Sequence, residues 1–317
     1  MSKDIVFLIN RSEITAGTRG ASLGPGAVMS AARKNNKTFF GEFPIEEIVE
    51  VNYYLDHPVV HPFAKRIEGL VEVYESLNEK VSAVLKNEKF PLIIAGDHGS
   101  AGGTIAGIKS AFPQKRLGVI WIDAHADLHT PYTTPSGNIH GMPLSTAINE
   151  DNLECKINHV LPETIELWNK LKYIGGISPK VYPEDLIFIG VRDTEDQEDT
   201  VINGLKIKNY TVSEVNQKGV QAVVSEVEDK LKDCDMIYIS FDVDSMDPSL
   251  TSHGTGTPVK DGLTPEEAEL FLKAFSKNPK TVCVEFVEVN PCLDEKVNKM
   301  AEVTAELVEA VVNVLKS

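Results

Sequence analysis

Residues 117–127 read L-G-V-I-W-I-D-A-H-A-D. The first six are apolar and β-prone, the pattern of a buried strand. Asp123, His125 and Asp127 then alternate with Ala124 and Ala126. In extended chain, side chains at i, i+2 and i+4 fall on one face. Two carboxylates and an imidazole are therefore expected to leave one strand end together. Hard oxygen donors with imidazole suit a first-row divalent ion such as Mn, Fe, Co or Zn.

The same plan recurs along the chain. P-L-I-I-A (91–95) runs into Gly96-Asp97-His98-Gly99, and M-I-Y-I-S-F (236–241) into Asp242-Val243-Asp244. T-V-C-V-E-F-V-E-V (281–289) carries Glu288 near its end. Further strands are predicted over 4–10, 48–52, 186–191 and 206–212. Helical spacing predicts helices over 25–33, 62–85, 101–112, 220–231, 264–275 and 294–315. Thr264-Pro265-Glu266-Glu267 is a helix-start signature. The polar stretch 149–183 reads as a helix with a surface excursion. Strands alternating with helices imply a parallel sheet with helices on both faces. Strands of unequal length and spacing favour an open doubly wound sheet over a closed (β/α)8 barrel. Functional residues of such sheets lie at the carboxyl ends of the strands. No linker or repeat divides the chain, so residues 1–317 are expected to form one domain.

Composition narrows the function classes. The 317 residues carry a formal net charge of −16 and 42% hydrophobic residues. That balance argues against nucleic acid or an anionic membrane as the main partner. No uninterrupted apolar run reaches the ~18 residues of a membrane span. The opening Met1-Ser2-Lys3-Asp4 lacks the regions of a secretory signal. Cys155, Cys234, Cys283 and Cys292 show no C-x-x-C spacing. Reduced thiols and a cytoplasmic setting are expected.

Three strand ends bearing acids and imidazoles at one sheet edge, with Glu288 at the end of a fourth strand, are hard to obtain from packing alone. Four carboxylates and two histidines would waste desolvation energy unless cations sat among them. They exceed the three protein ligands of a common catalytic zinc. They match two metals bridged by shared carboxylates, about 3.5 Å apart.

The set G-D-H-G (96–99), D-A-H-A-D (123–127), S-F-D-V-D-S-M-D-P (240–248) and E-V-N-P (288–291), with R-G-A-S-L-G-P at 19–25, resembles the ureohydrolase family nearly end to end. The resemblance implies a three-layer α/β/α fold around a mostly eight-stranded parallel sheet, two Mn2+ per subunit (Co2+ or Fe2+ as substitutes), and trimers or hexamers. By position, His98, Asp123, Asp127 and Asp242 would hold one ion. His125, Asp123, Asp242 and Asp244 would hold the other, with Asp123 and Asp242 bridging. Asp97 would orient the His98 imidazole, a common outer-shell role. Asp247 would form a turn. No ligand is missing, which argues against a non-catalytic binding subunit. The two-metal set also argues against the deacetylases, fold-level cousins with one metal.

The stretch T-P-Y-T-T-P-S-G-N-I-H-G (130–141) resembles the arginase branch, whose equivalent grips a substrate α-carboxylate. By that resemblance Ser136 and Asn138 would be carboxylate donors, His140 a proton shuttle, Glu288 the guanidinium anchor, and Thr257 a neighbour of the guanidinium. Glu195 and Glu198, after I-G-V-R-D (189–193), would attract the α-ammonium. Two positions depart from the pattern. His129 stands where an asparagine is usual as a carboxylate contact, and Glu195 where an aspartate is usual. The implied reaction is hydrolysis of a small cationic guanidino substrate, L-arginine, to L-ornithine and urea by a metal-bridging hydroxide, with Asp127 passing its proton. The alternative is a related activity on guanidinobutyrate, formimidoylglutamate or agmatine.

Overall fold

A computed structural model describes residues 2–317; Met1, the first residue of the N-terminal stretch considered above, lies outside them. Eight strands lie in one sheet: β1 (Ile5–Asn10), β2 (Ile45–Glu47), β3 (Phe90–Ala95), β4 (Leu117–Ile122), β5 (Leu186–Ile189), β6 (Lys208–Tyr210), β7 (Met236–Asp242) and β8 (Thr281–Val287). Their order is β2-β1-β3-β8-β7-β4-β5-β6, and every pairing is parallel. The four strands that end in acids or histidine, β3, β8, β7 and β4, are the contiguous centre.

Alternation along the strands builds the three layers. From β4, Ile120 and Ile122 enter one core and Val119 and Trp121 the other. From β7, Ile237, Ile239 and Phe241 enter the first, and Met236 and Tyr238 the second. Helices Gly24–Lys34, Val220–Lys230, Pro265–Lys277 and Lys299–Lys316 cover the first face. Helices Ile67–Lys86, Ala101–Ala111, Pro143–Ile148 and Pro162–Tyr173 cover the second. Among the described residues, no helix is long and apolar enough to cross a membrane.

Several element ends differ from those expected. The short strand predicted over 48–52 lies at Ile45–Glu47 and pairs with β1. Ile48 and Val51 are buried instead as anchors of the loop that follows. The helix predicted from 62 begins at Ile67, after Arg66 at a left-handed φ of 60°. The helix predicted from 294 begins at Lys299, behind Val297 (φ 58°) and Asn298 (φ 72°). Asp294 organises that turn, accepting the N–H of Lys296 (2.9 Å) and of Met300 (2.8 Å). The strand predicted over 281–289 stops at Val287, because Glu288 turns to φ 68°. The strand after 186 stops at Ile189, before Gly190 at φ 89°. Thr264 does cap its helix, accepting the N–H of Glu267 while Glu267 returns to the N–H of Thr264. Helices Pro143–Ile148, Asp196–Leu205 and Val212–Lys218 were not expected.

Candidate metal centre and substrate cavity

All eight strands point the same way, so the residues after β3, β4, β7 and β8 meet at one edge. Asp123, Asp127, Asp242, Asp244, Glu288 and His98 are all buried there. The expected extended face after β4 does not form. The strand ends at Ile122, the chain bends, and Asp127 takes a left-handed φ of 51°. The bend, rather than strand pleating, aims Asp123, His125 and Asp127 inward. A non-glycine residue held at positive φ costs of order 1–3 kcal/mol, and such residues cluster at functional sites. Asp127 and Glu288 both do this here.

Two groups of donor atoms result. His98 Nδ1 lies 3.1 Å from Asp123 Oδ2, 3.2 Å from Asp127 Oδ2 and 3.2 Å from Asp242 Oδ2. His125 Nδ1 lies 3.1 Å from Asp244 Oδ2 and 3.5 Å from Asp123 Oδ1. Asp123 therefore offers one oxygen to each group. Asp242 presents Oδ2 to the first, while its Oδ1 accepts the Asp244 N–H (2.8 Å).

His98 Nδ1 and Asp123 Oδ2 are buried without a hydrogen-bond partner despite this proximity. Orphaned polar atoms facing one point cost free energy unless a cation satisfies them. Burial, together with neighbouring carboxylates, drives Asp127 and Asp242 above the ordinary carboxylate range, and burial raises Asp244 too. Burial opposes charge on His98 and His125, yet the carboxylates around them raise both. The donor set of carboxylate oxygens and imidazoles fits two divalent ions sharing Asp123.

His98 is fixed from behind. Its Nε2 lies 2.7 Å from Ser240 Oγ, and its ring stacks on Trp121 at 4.0 Å and 4°. With a metal ion on Nδ1, Nε2 would carry the proton and donate to Ser240. Asp97, expected to orient this ring, instead accepts the N–H of Thr15 (2.9 Å). Burial pushes Asp97 up to about 7. Asp247 accepts the N–H groups of Ser249 and Asp261, as a turn-former should.

The centre opens into a cavity of about 300 Å3. His140, Glu288 and Thr257 line it near the donor groups. Glu288 Oε1 accepts the N–H of His98 (2.8 Å) and lies 3.5 Å from His140 Nδ1. Burial opposes protonation of His140, but Glu288 beside it raises the imidazole above its ordinary value. Thr257 donates its hydroxyl proton to Asp244 Oδ2 (3.0 Å).

His129, Ser136, Asn138, Glu195 and Glu198 line it as well. The metal, catalytic and substrate positions expected from the sequence thus reach one cavity or its metal-type floor, whereas Asp97 and Asp247 do not. Glu198 accepts the N–H of Leu128 (3.0 Å) and of Glu195 (3.3 Å). Burial pushes Glu198 up to about 8, whereas the bond from His129 holds Glu195 down to about 2. The loop bearing Ser136 and Asn138 rests on residues 61–66, where Lys65 N–H donates to Gly137 O (2.8 Å). Gly137 must be glycine: φ is 77°, and a Cβ would sit 1.9 Å from Pro62 O. Lys65 Nζ also donates to Asn138 Oδ1 (3.2 Å), which leaves the Asn138 Nδ2 donor over Gly17 in the cavity wall. Sequence reasoning missed Lys65, Thr133 and Ser240. Ser240 alone carried a signal, one pleat before Asp242 on a strand already assigned to the site.

Comparison with known proteins agrees with this geometry. The Arginase family model matches residues 3–313. The chain is 34% identical over 310 residues to the arginase of Bacillus subtilis (strain 168), covering 98% of both chains. It is 36% identical over 297 residues to the arginase of Bacillus caldovelox, covering 91% of each. The crystal structure of Entamoeba histolytica arginase in complex with L-ornithine is similar at a TM-score of 0.82 and 27% identity, over 99% of both chains.

Proposed function

This chain belongs to the arginase family and is a hydrolase of that family, and from that premise we propose that it hydrolyses L-arginine to L-ornithine and urea with two divalent metal ions, manganese foremost. One observation carries the reading. A pair of donor groups sharing Asp123 floors a cavity that Asn138, Glu195 and Glu198 also line. A molecule with a guanidinium at one end and an amino-acid head at the other matches both. Residues 1–317 are read as one catalytic domain, which the single family match over 3–313 supports.

His98, Asp123, Asp127 and Asp242 would hold one ion, and His125, Asp123, Asp242 and Asp244 the other. When bound, such ions supply hydroxide near neutral pH by lowering the pKa of water, and positive charge for a developing oxyanion. The rest is work for the chain. Glu288 keeps Oε1 on the His98 N–H, and its Oε2 lies on the Gly256 side of the cavity. That oxygen would hold the guanidinium. Asp127 spends Oδ2 on the first donor group, and its Oδ1 lies on the Gly141 side. That oxygen would accept the proton of the attacking water and give it to the leaving amine. His140, half-buried beside Glu288, would exchange protons with solvent. Asn138 and Ser136 would hold the carboxylate, and Glu195 and Glu198 the ammonium. Such remote contacts place the reacting carbon without reacting themselves.

The test is product release from metal-replete protein offered arginine, agmatine, 4-guanidinobutyrate, 3-guanidinopropionate and formimidoylglutamate. Urea from arginine at the highest kcat/KM is expected. A higher value for agmatine, or formamide release from formimidoylglutamate, would replace the reading by the corresponding relative.

A further inference from the structure

The two departures from the arginase pattern, His129 and Glu195, are 66 residues apart in the chain and in contact in the fold. His129 Nε2 lies 2.8 Å from Glu195 Oε2. The imidazole is buried, so it has little room to turn away. Its protonation pattern follows from its neighbours. Thr133 Oγ1 accepts the N–H of Thr130 (3.0 Å), which leaves the hydroxyl proton free for His129 Nδ1 (3.2 Å). Nε2 is then the N–H of the ring, and it donates to Glu195. The group expected from the sequence to meet a substrate carboxylate is thus already committed to a carboxylate of the chain itself.

Glu195 is the residue that needs holding. It stands at the start of helix Asp196–Leu205, and its side chain is 53% exposed. A glutamate there has one more rotatable bond than the aspartate of the pattern, and ordering it costs entropy. The bond from His129 removes that freedom. It uses Oε2, in the wall of the cavity, where the Glu195 side chain also meets that of Glu198. An asparagine at 129 would be too short to reach the glutamate. An aspartate at 195 would be too short to reach the imidazole.

We propose that His129 is a positioning residue which, through Glu195, sets the preference of this site for a substrate carrying an α-ammonium group, and that the two residues are exchangeable only together. The proposal rests on the arginine reading. It goes beyond it in making ammonium recognition depend on a histidine that touches no part of the substrate.

The test is a double-mutant cycle on the full chain with both metals loaded: His129→Asn, Glu195→Asp and the double variant. Ornithine binding is measured by calorimetry. The KM and kcat for urea release are measured with arginine and with 5-guanidinopentanoate, which is arginine without its α-amino group. Each single substitution strands or misplaces a charged hydrogen-bonding group, so each is expected to weaken ornithine and raise KM for arginine about 10- to 100-fold. The rise in KM is expected to be at least several-fold smaller for the amino-free analogue than for arginine. The double variant leaves neither a stranded imidazole nor an unheld glutamate, and is expected to recover most of the loss. Additive losses in the double variant would overturn the proposal, as would equal losses on the amino-free analogue. Glu195→Asp lies at the surface and serves as a second, independent arm: unchanged ornithine binding in it alone would also overturn the proposal. A parent enzyme that releases no urea from arginine would bring down the arginine reading and this proposal together. A parent active on arginine with an additive cycle would bring down the pair alone.

Discussion

Asp123→Asn tests the shared centre most directly, because Asp123 alone presents one oxygen to each histidine-bearing group, at 3.1 Å from His98 Nδ1 and 3.5 Å from His125 Nδ1. The substitution keeps the shape and one carbonyl oxygen and removes one negative charge. A unit charge about 4 Å from a divalent ion contributes roughly 8 kcal/mol at an effective dielectric of 20. Much of that returns, because a fully buried carboxylate no longer has to be desolvated. Taking about a third, 2–4 kcal/mol, the affinity for each ion should fall roughly 30- to 1,000-fold. The assay is metal content after dialysis against a graded chelator, paired with urea release at saturating metal. Both equivalents should leave at lower chelator concentration, and urea release should fall by orders of magnitude. Loss of only one equivalent, with the other held as in the parent, would refute the sharing of Asp123. Asp244→Asn, which touches only the His125 group, supplies that one-sided pattern as a control.

Three further outcomes follow from single contacts. Asn138→Ala removes the amide oriented by Lys65; KM for arginine should rise about 10- to 100-fold, as for a lost bond to a charged group, and KM for agmatine should hardly change. Equal effects on the two substrates would rule out a carboxylate grip. Ser240→Ala strips the acceptor from His98 Nε2, so metal affinity measured by chelator competition should fall about 10- to 100-fold, while a helix-rich circular dichroism spectrum persists; unchanged affinity would mean that stacking on Trp121 suffices to hold the ring. Lys180 is buried, its ammonium donates to Lys172 O (2.5 Å), and burial lowers its pKa from 10.5 to about 8. Its folded pKa lies below its unfolded one, so the penalty is complete below pH 8 and fades as pH rises towards 10.5. The shift corresponds to about 3 kcal/mol, and the orphaned Lys172 carbonyl would take back about 1 kcal/mol. Lys180→Met should therefore stabilise the protein by roughly 2 kcal/mol in urea denaturation at pH 7, with the gain shrinking by pH 10; no gain at pH 7 would contradict the burial cost.

The central strands were legible because they are buried on both faces, so their sequence is an unbroken apolar run rather than an alternating one. Element ends were less so. Arg66, Val297 and Asn298 take left-handed conformations without being glycine, and such a break leaves little trace in the sequence. The short helix Asp196–Leu205 escaped notice because most of its surface is polar. In the site, the donor residues stood out because they follow strands. Their contacts did not. The bond between His129 and Glu195, the hold of Lys65 on Asn138, and the seating of Glu198 under Leu128 N–H each join segments 66 to 73 residues apart.

Those cross-loop bonds divide the site into two kinds of construction. The donor groups stand at or just beyond the ends of three central strands, β3, β4 and β7, which are locked by the sheet ladder and by cores on both faces. Moving any one of them would disturb packing throughout the domain. The cavity wall bearing Asn138, His129 and Glu195 is held instead by loops that fasten one another: residues 61–66 against 134–138, and 128–133 against 195–198. A loop can change its residues without disturbing the sheet, provided its partner loop changes with it. The metal-type motifs therefore identify the chemistry and say little about the substrate, since function lies in the site rather than the fold. Substrate preference must be read from pairs across loops, and a single position taken from the motif misleads. His129 alone looks like a spoiled carboxylate contact and Glu195 alone like an overlong ammonium contact. Joined at 2.8 Å, each supplies the reason for the other.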